Sequence, residues 1–320
     1  MKSATCEMLK PTKDSPCRSY VRPINESEPG FCKHPTLFHC IEAMKQKLPT
    51  ISYADLADYI HCRLRYKYRS IDGLHLKPEH LPEYLKLGRA WKAYIQYLYN
   101  GTDYNMEIQS LQLDDIQQAK TNALARAGKD LEIIIKKEGL IGCQYKIYVP
   151  VGQEQIIVSV DRAYDDHIVE CKLSGRPDFY RQLENLTYQL GTYFMGNDAW
   201  EFADVEIIRV PTLKLKPDET AEAYEERCYG DIVSRPAFYF LGWNRKTRKY
   251  GVRFWRSEFD LDEIFRTYVW VFQELRETLR RGSWYPNYLA CHVPAPCMFL
   301  PIKKSGVVSP EIYERKEVKK

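Results

Sequence analysis

Long apolar runs are missing from this 320-residue chain. No stretch approaches the roughly 20 apolar residues that span a bilayer, and the N-terminus lacks the apolar core of a secretory signal peptide. We therefore expect a cytoplasmic protein without a membrane partner. A strong charge excess is missing too, since the net charge is only +4, so overall charge gives no argument for nucleic-acid binding. Hydrophobic residues make up 44% of the chain, which is enough to bury a large core.

The ten cysteines include no Cys-x2-Cys pair, which excludes a standard zinc finger. Disulfides are rare in the cytoplasm, so metal binding is the sharper interpretation of so many cysteines. A zinc or iron–sulfur site would explain how the Pro- and Ser-rich residues 1–50, which lack periodicity, could fold. The four cysteines of this lead-in are Cys6, Cys17, Cys32 and Cys40. Three others fall in or directly beside predicted strands or a helix and are expected to be core residues: Cys143, Cys171 and Cys228.

Hydrophobic periodicity after residue 50 predicts an α/β protein. Helices are predicted over 53–68, 81–99, 111–138, 177–196, 217–229 and 260–281, and strands over 144–150, 154–161, 167–173, 203–210, 236–243 and 250–256. This order predicts a mixed sheet flanked by helices, with a helical N-terminal part over 51–140 and a cysteine-rich lead-in over 1–50. Residues 301–320 are expected to form a charged, disordered tail.

The most informative segment is a predicted β-hairpin. Asp165 and Asp166 lie between two β-branched runs, and a two-residue turn there places Asp161 opposite Glu170. Opposed residues share a face with Cβ atoms roughly 5 Å apart, and Lys172, two residues on, shares that face. Two carboxylates beside an ammonium suit a hard divalent cation, Mg²⁺ or Mn²⁺, whose preferred ligands are oxygens. The alternative is a solvated face with ordinary surface ion pairs.

The predicted helix after this hairpin carries a polar stripe. Gln189 and Tyr193 are four residues apart and therefore lie on one face. Beside an acidic hairpin, such a pair can contact a nucleic-acid backbone or hold the lysine in place. The alternative is a Gln/Tyr pair that only packs in the core.

The order of these motifs resembles the PD-(D/E)XK nucleases of the RecB type, which include CRISPR-associated adaptation nucleases and phage exonucleases. The resemblance covers about residues 51–300 and implies a restriction-endonuclease-like core over 141–282. The residues that carry it are Asp161, Glu170-Cys171-Lys172, Gln189-Leu190-Gly191-Thr192-Tyr193, the segment from Ile51-Ser52 through Cys62 to Tyr66-Lys67-Tyr68, and Leu87-Gly88-Arg89-Ala90.

The resemblance implies a metal-dependent DNA nuclease, with exonuclease action on single-stranded DNA or DNA ends, that serves repair, recombination or the processing of phage or CRISPR-type DNA. Asp161 and Glu170 would hold Mg²⁺ or Mn²⁺ together with the carbonyl oxygen of Cys171. Lys172 would orient the attacking water or stabilise charge in the transition state. The pair on the following helix would position the DNA backbone.

Two departures from the family's pattern matter. Members often carry a histidine ligand four residues after the motif glycine, where this chain has Lys92. Many also hold a four-cysteine iron–sulfur cluster, whose positions match Cys62, Cys291 and Cys297, but Lys303 stands at the fourth. Two alternatives therefore stay open. One is a nucleic-acid-binding module of the same fold that no longer cleaves. The other is a structural or adaptor protein that is stabilised by a metal bound to its N-terminal cysteines.

Overall fold

The computed structural model describes residues 20–21, 31–32, 51–101, 104–133, 139–287 and 297–317. The chain divides into two compact units, Met1–Pro49 with Phe272–Ser283, and Thr50–Val271 with Trp284–Lys320. In the first unit, strands β1 (Tyr20–Val21) and β2 (Phe31–Cys32) pair antiparallel. The second unit contains the main sheet and all residues of the predicted hairpin.

A six-stranded mixed sheet forms the centre of the second unit, as the sequence predicted. The strands of this unit are β3 (Ile51–Ser52), β4 (Leu74–Leu76), β5 (Leu140–Val151), β6 (Glu154–Tyr164), β7 (His167–Ser174), β8 (Phe202–Arg209), β9 (Val252–Trp255) and β10 (Tyr313–Arg315). The main sheet has the order β3-β6-β7-β8-β9, and β5 also pairs with β6. The pairs β3–β6 and β7–β8 are parallel and the others antiparallel.

Helices flank this sheet. They are α1 (Tyr53–His61), α2 (Arg63–Tyr66), α3 (Glu83–Asn100), α4 (Tyr104–Ser110), α5 (Asp115–Asp130), α6 (Thr187–Gly196), α7 (Ala221–Ser234), α8 (Pro236–Tyr239), α9 (Leu261–Arg281) and α10 (Leu300–Ser305). Trp91 of α3, Ala123 of α5 and Tyr224 of α7 form one buried cluster with Ile208 of β8. This cluster anchors α3 on the sheet, and α3 in turn carries Lys92 towards β6.

Helix α6 approaches α9 very closely because Gly191 has no side chain. A Cβ atom built on Gly191 would lie 2.3 Å from Cδ1 of Ile264. On either side of this contact, Thr192 Oγ1 lies 2.6 Å from the Tyr268 hydroxyl, and the Phe194 ring packs against Phe259. The close approach fixes the position of α6, whose polar stripe faces the hairpin.

Two predicted elements are wrong, in each case because burial decides the local conformation. The helix predicted over 177–196 begins only at Thr187, because Gln182 is extended (φ −90°, ψ 127°) between two 3₁₀ turns. The strand predicted over 236–243 is instead the short helix α8, whose first residue, Pro236, has no N–H to leave unpaired. The buried Tyr239 then donates its hydroxyl hydrogen to Asp231 and holds that turn.

The predicted helix over 53–68 is interrupted at Cys62, which is extended (φ −161°) and separates α1 from α2. The predicted disordered tail is wrong for its described residues, since β10 pairs with β4. The Tyr313 ring stacks on Phe299 at 5.9 Å, and its hydroxyl donates to the Met298 carbonyl at 2.6 Å. Among the described residues, no helix is both long and apolar enough to cross a membrane.

Candidate active site

The hairpin has the predicted turn and register. Asp165 and Asp166 connect β6 to β7, and the ladder pairs Arg162 with Val169 and Ala163 with Ile168. At the turn, the rings of Tyr164 and His167 stack at 4.4 Å with an angle of 6°. This register brings Asp161 and Glu170 opposite each other one position beyond the ladder.

At this point Asp161 replaces a ladder hydrogen bond with its own side chain. Its Oδ2 accepts the backbone N–H of Cys171 at 2.8 Å. The carboxylate is therefore fixed between β6 and β7, and only 6% of the residue is exposed. Its other oxygen, Oδ1, is left to face the remaining groups of the site.

Two lysines neutralise the two carboxylates. Lys92 Nζ lies 2.8 Å from Asp161 Oδ1 and 3.8 Å from Glu170 Oε1. Lys172 Nζ lies 2.8 Å from the same oxygen of Glu170, and Glu170 is only 2% exposed. Buried carboxylates are tolerated only when paired and hydrogen-bonded, so the two ammonium groups are part of the site's structure.

The polar stripe of α6 completes the arrangement. Gln189 Oε1 accepts from Lys172 Nζ at 2.7 Å, and Gln189 Nε2 donates to Glu170 Oε1 at 3.0 Å. The Tyr193 hydroxyl donates to Glu170 Oε2 at 3.1 Å and lies 2.7 Å from Gln189 Nε2. The structure therefore brings together all five residues predicted for catalysis, Asp161 included.

The two carboxylates differ electrostatically. Burial, together with the charge of Glu170, raises the pKa of Asp161 above its usual range despite the ion pair with Lys92. Burial acts in the same direction on Glu170, but Lys172 and Lys92 outweigh it and lower the pKa of that carboxyl. For Lys92, both carboxylates outweigh the opposing effect of burial and raise the pKa of the ammonium. Asp161 is thus the carboxylate that holds a proton more readily.

The donor set fits a divalent cation. Asp161 Oδ1 and Glu170 Oε1 converge on one positively charged group, the Lys92 ammonium, and oxygens from two carboxylates are the ligands that Mg²⁺ and Mn²⁺ prefer. Within the described part of the chain, no group of three or more His, Cys, Asp and Glu side chains is arranged around one point. A metal here would have two side-chain ligands and would take the place of Lys92.

The Cys171 side chain does not belong to this site. Its Sγ lies 3.2 Å from Glu206 Oε2 and 3.5 Å from Nη2 of the buried Arg162. Side chains alternate along a strand, so this thiol points to the face opposite Glu170 and Lys172. Burial raises the pKa of the thiol well above its usual value. Only the backbone of Cys171 lies at the site, where its N–H already binds Asp161, and its predicted carbonyl ligand stays a prediction.

Gln144 is a site residue that the sequence interpretation missed. Its Nε2 donates to Asp161 Oδ1 at 2.8 Å, and its Oε1 accepts from Ser159 Oγ at 3.3 Å. The sequence contained a signal for this contact in the two residues that connect β5 to β6, Gly152 and Gln153. A two-residue turn there sets Gln144 across from Asp161, in the register that the structure has.

The cysteines predicted to bind metal are only partly described. Cys62 is buried, and its Sγ accepts the backbone N–H of Asn287 at 3.4 Å. Cys297 packs beside a buried cluster that includes Phe299 and Ile302. Cys32 lies on β2, and four others fall outside the described residues: Cys6, Cys17, Cys40 and Cys291. Metal binding by the cysteines stays a prediction.

No protein-family model matches this sequence, and no curated protein matches it significantly. The inference of function therefore depends on the side chains of the site and on the motif order in the chain.

Proposed function

We propose that this protein is a metal-dependent deoxyribonuclease of the PD-(D/E)XK type with a restriction-endonuclease-like core. The observation that carries the proposal is the convergence of Asp161, Glu170 and Lys172 where two strands of a mixed sheet separate. The Gln and Tyr of the next helix are hydrogen-bonded to the same Glu170. An ordinary surface ion pair would not bury both carboxylates or draw a helix's polar stripe onto them.

Each side chain has a distinct task in this proposal. Asp161 and Glu170 would hold Mg²⁺ or Mn²⁺, and the bound cation would supply Lewis-acid stabilisation of the scissile phosphate and a water of lowered pKa. Lys172 orients the attacking water, because Gln189 holds its ammonium at 2.7 Å and restricts its direction. Tyr193 holds the far oxygen of Glu170 through its hydroxyl, so that Oε1 stays turned towards the metal position.

Single-stranded DNA is the substrate that the surroundings of the site support. Along β5, the exposed Lys146 and Tyr148 pair with Ser159 and Ile157 of β6. Ser159 in turn is hydrogen-bonded to Gln144, which reaches Asp161. A lysine and an aromatic ring on one exposed face can bind a phosphate and stack on an unpaired base. This face leads directly to the carboxylates.

The test is cleavage of an end-labelled single strand by the purified protein. We expect cleavage with Mg²⁺ or Mn²⁺, none with EDTA, and none for Asp161→Asn or Glu170→Gln at unchanged DNA affinity. Asp165→Asn, which alters an exposed acid in the turn of the same hairpin, is the matched control and should cleave normally. Undiminished cleavage by Glu170→Gln would exclude this site.

A second candidate is a nucleic-acid-binding module that no longer cleaves. The Lys92 ammonium already satisfies Asp161 at 2.8 Å, as a permanent substitute for a metal would. In that case the wild-type protein binds single-stranded DNA with the same affinity in EDTA and in Mn²⁺, and no metal supports cleavage.

A further inference from the structure

Lys92 and Lys172 are held very differently at the carboxylates. The Lys172 side chain is 17% exposed, is bound by Gln189, and lies over the Tyr180 ring. The Lys92 side chain is 40% exposed, and its ammonium contacts the two carboxylates. Much of the Lys92 side chain is therefore open to solvent while its ammonium lies against the carboxylates, whereas Lys172 is enclosed by Glu170, Gln189 and Tyr180.

The charges at the site cancel while Lys92 stays in place. Two carboxylates and two ammonium groups sum to zero, so the site has no excess negative charge to attract a divalent ion. The metal would also need the same oxygen that Lys92 contacts, at about 2.1 Å for Mg²⁺ instead of the 2.8 Å of the ammonium. The ammonium and the metal cannot share the position.

We propose that Lys92 is a displaceable internal cation, which occupies the metal position in the metal-free protein and competes with the divalent ion for Asp161 and Glu170. The proposal deepens the nuclease function and rests on its metal site. Displacement of Lys92 opposes metal binding, so affinity for the metal is weak in the absence of DNA. Once displaced, the ammonium lies at the edge of the site, where a DNA phosphate can pair with it.

The experiment measures Mn²⁺ binding to DNA-free protein by titration calorimetry at neutral pH. Lys92→Met keeps a long unbranched side chain and removes its charge. We expect it to bind Mn²⁺ about tenfold tighter than wild type, equivalent to about 1.4 kcal/mol. Lys92→Arg keeps the charge and should bind no more tightly than wild type. Lys246→Met, which removes an exposed lysine from the loop between α8 and β9, is the control and should leave the affinity unchanged.

A second measurement separates competition from a change of structure. Without its ammonium, the metal-free Lys92→Met protein has two buried carboxylates that share one cation, and it should melt at a lower temperature than wild type. Saturating Mn²⁺ should then raise its melting temperature by more than it raises that of wild type. Adding Glu170→Gln to Lys92→Met should abolish the gain in affinity, because the metal then loses a carboxylate. If Lys92→Met does not fold, Lys92→Gln replaces it.

Unchanged or weaker Mn²⁺ affinity in a folded Lys92→Met protein overturns the proposal, even if the wild-type protein cleaves DNA. Tighter binding by Lys92→Met supports it, even if no variant cleaves DNA, and in that case only the nuclease function fails. Absence of Mn²⁺ binding in both wild type and Lys92→Met overturns the proposal as well.

Discussion

Lys172 is the side chain whose surroundings most strongly indicate a catalytic role. Glu170 and Gln189 bind its ammonium at 2.8 and 2.7 Å, which fixes its direction. A lysine that served only to neutralise Glu170 would not need the glutamine, since Lys92 already lies within 3.8 Å of that carboxylate. The arrangement indicates a group held in one orientation relative to the metal position.

We predict that Lys172→Met lowers the single-turnover cleavage rate about 100-fold or more, the usual range for a positioned proton-transfer or water-orienting group. Mn²⁺ should still bind, because both carboxylates remain. DNA affinity in EDTA and the melting temperature serve as controls and should be close to wild type. A variant whose only defect is weaker DNA binding would show that Lys172 contacts the substrate without a role in the chemical step.

At the scale of single residues, the sequence predicted relations between residues that are close together in the chain. The opposition of Asp161 and Glu170 follows from a two-residue turn, and Gln189 and Tyr193 share a face at helical spacing. From the sequence, Lys92 was recognised only as the residue that stands in place of a histidine ligand. Its contact with Asp161 joins residues 69 positions apart, and it depends on how α3 packs on the sheet, which no local pattern specifies.

The β5–β6 hairpin is the element that links the site to a surface. Directly paired residues share a face, so Tyr148 lies beside Ile157 and Lys146 beside Ser159. Residues two apart on a strand are about 6.6–6.8 Å apart, close to the spacing of neighbouring nucleotides in an extended strand. Tyr148 is 54% exposed, which leaves its ring accessible to a base.

We predict that Tyr148→Ala weakens binding of a short oligothymidine about fivefold or more, since stacking of one base on an aromatic ring contributes about 1 kcal/mol or more. Fluorescence anisotropy in EDTA measures this without cleavage. Tyr84→Ala, which removes another exposed tyrosine in the first turn of α3, should bind as wild type does. Equal losses in both variants would show that the β5–β6 face is not the binding surface.

Elements with strong periodicity were predicted well, and those decided by tertiary burial were not. The two hairpin strands and α9 have nearly the predicted bounds. In the segment over 177–196 the apolar residues have helical spacing from Leu183 onward, but Pro177 and Leu186 are buried and the chain turns between them. Residues 236–243 are apolar enough for a strand, yet Pro236 starts a helix. Apolar runs of this length do not distinguish a strand from a short buried helix.

At the scale of the second unit, its last residues pack against its first helices. The Trp284 ring stacks on Tyr66 at 6.1 Å, and the Arg63 guanidinium lies 4.3 Å from the centre of the Tyr285 ring. Asn287, which follows Tyr285 in the same segment, donates its backbone N–H to Cys62 Sγ. Further on, β10 pairs with β4. Contacts between residues more than 200 positions apart close a long loop here, and together they offset the entropy that this closure costs.

The packing around Cys62 bears on whether the predicted iron–sulfur cluster can form. Cys62 is buried where the chain returns, and Cys291 and Cys297 follow that return in sequence. A four-cysteine cluster needs a fourth thiolate, and Lys303, on α10, supplies an ammonium instead. The thiols of the lead-in offer a complete set of four for zinc, which takes four thiolates in structural sites: Cys6, Cys17, Cys32 and Cys40.

We therefore predict that anaerobically purified protein is colourless, contains about one zinc per chain, and lacks acid-labile sulfide. Elemental analysis and the visible absorption spectrum measure this directly. Cys17→Ser should release the zinc, while Cys228→Ser, which alters a cysteine buried in the core, should retain it and lower only the melting temperature. The opposite outcome is stoichiometric iron with acid-labile sulfide and a visible absorption that Cys62→Ser abolishes. It would mean that Cys62 binds an iron–sulfur cluster whose fourth ligand is not the expected cysteine.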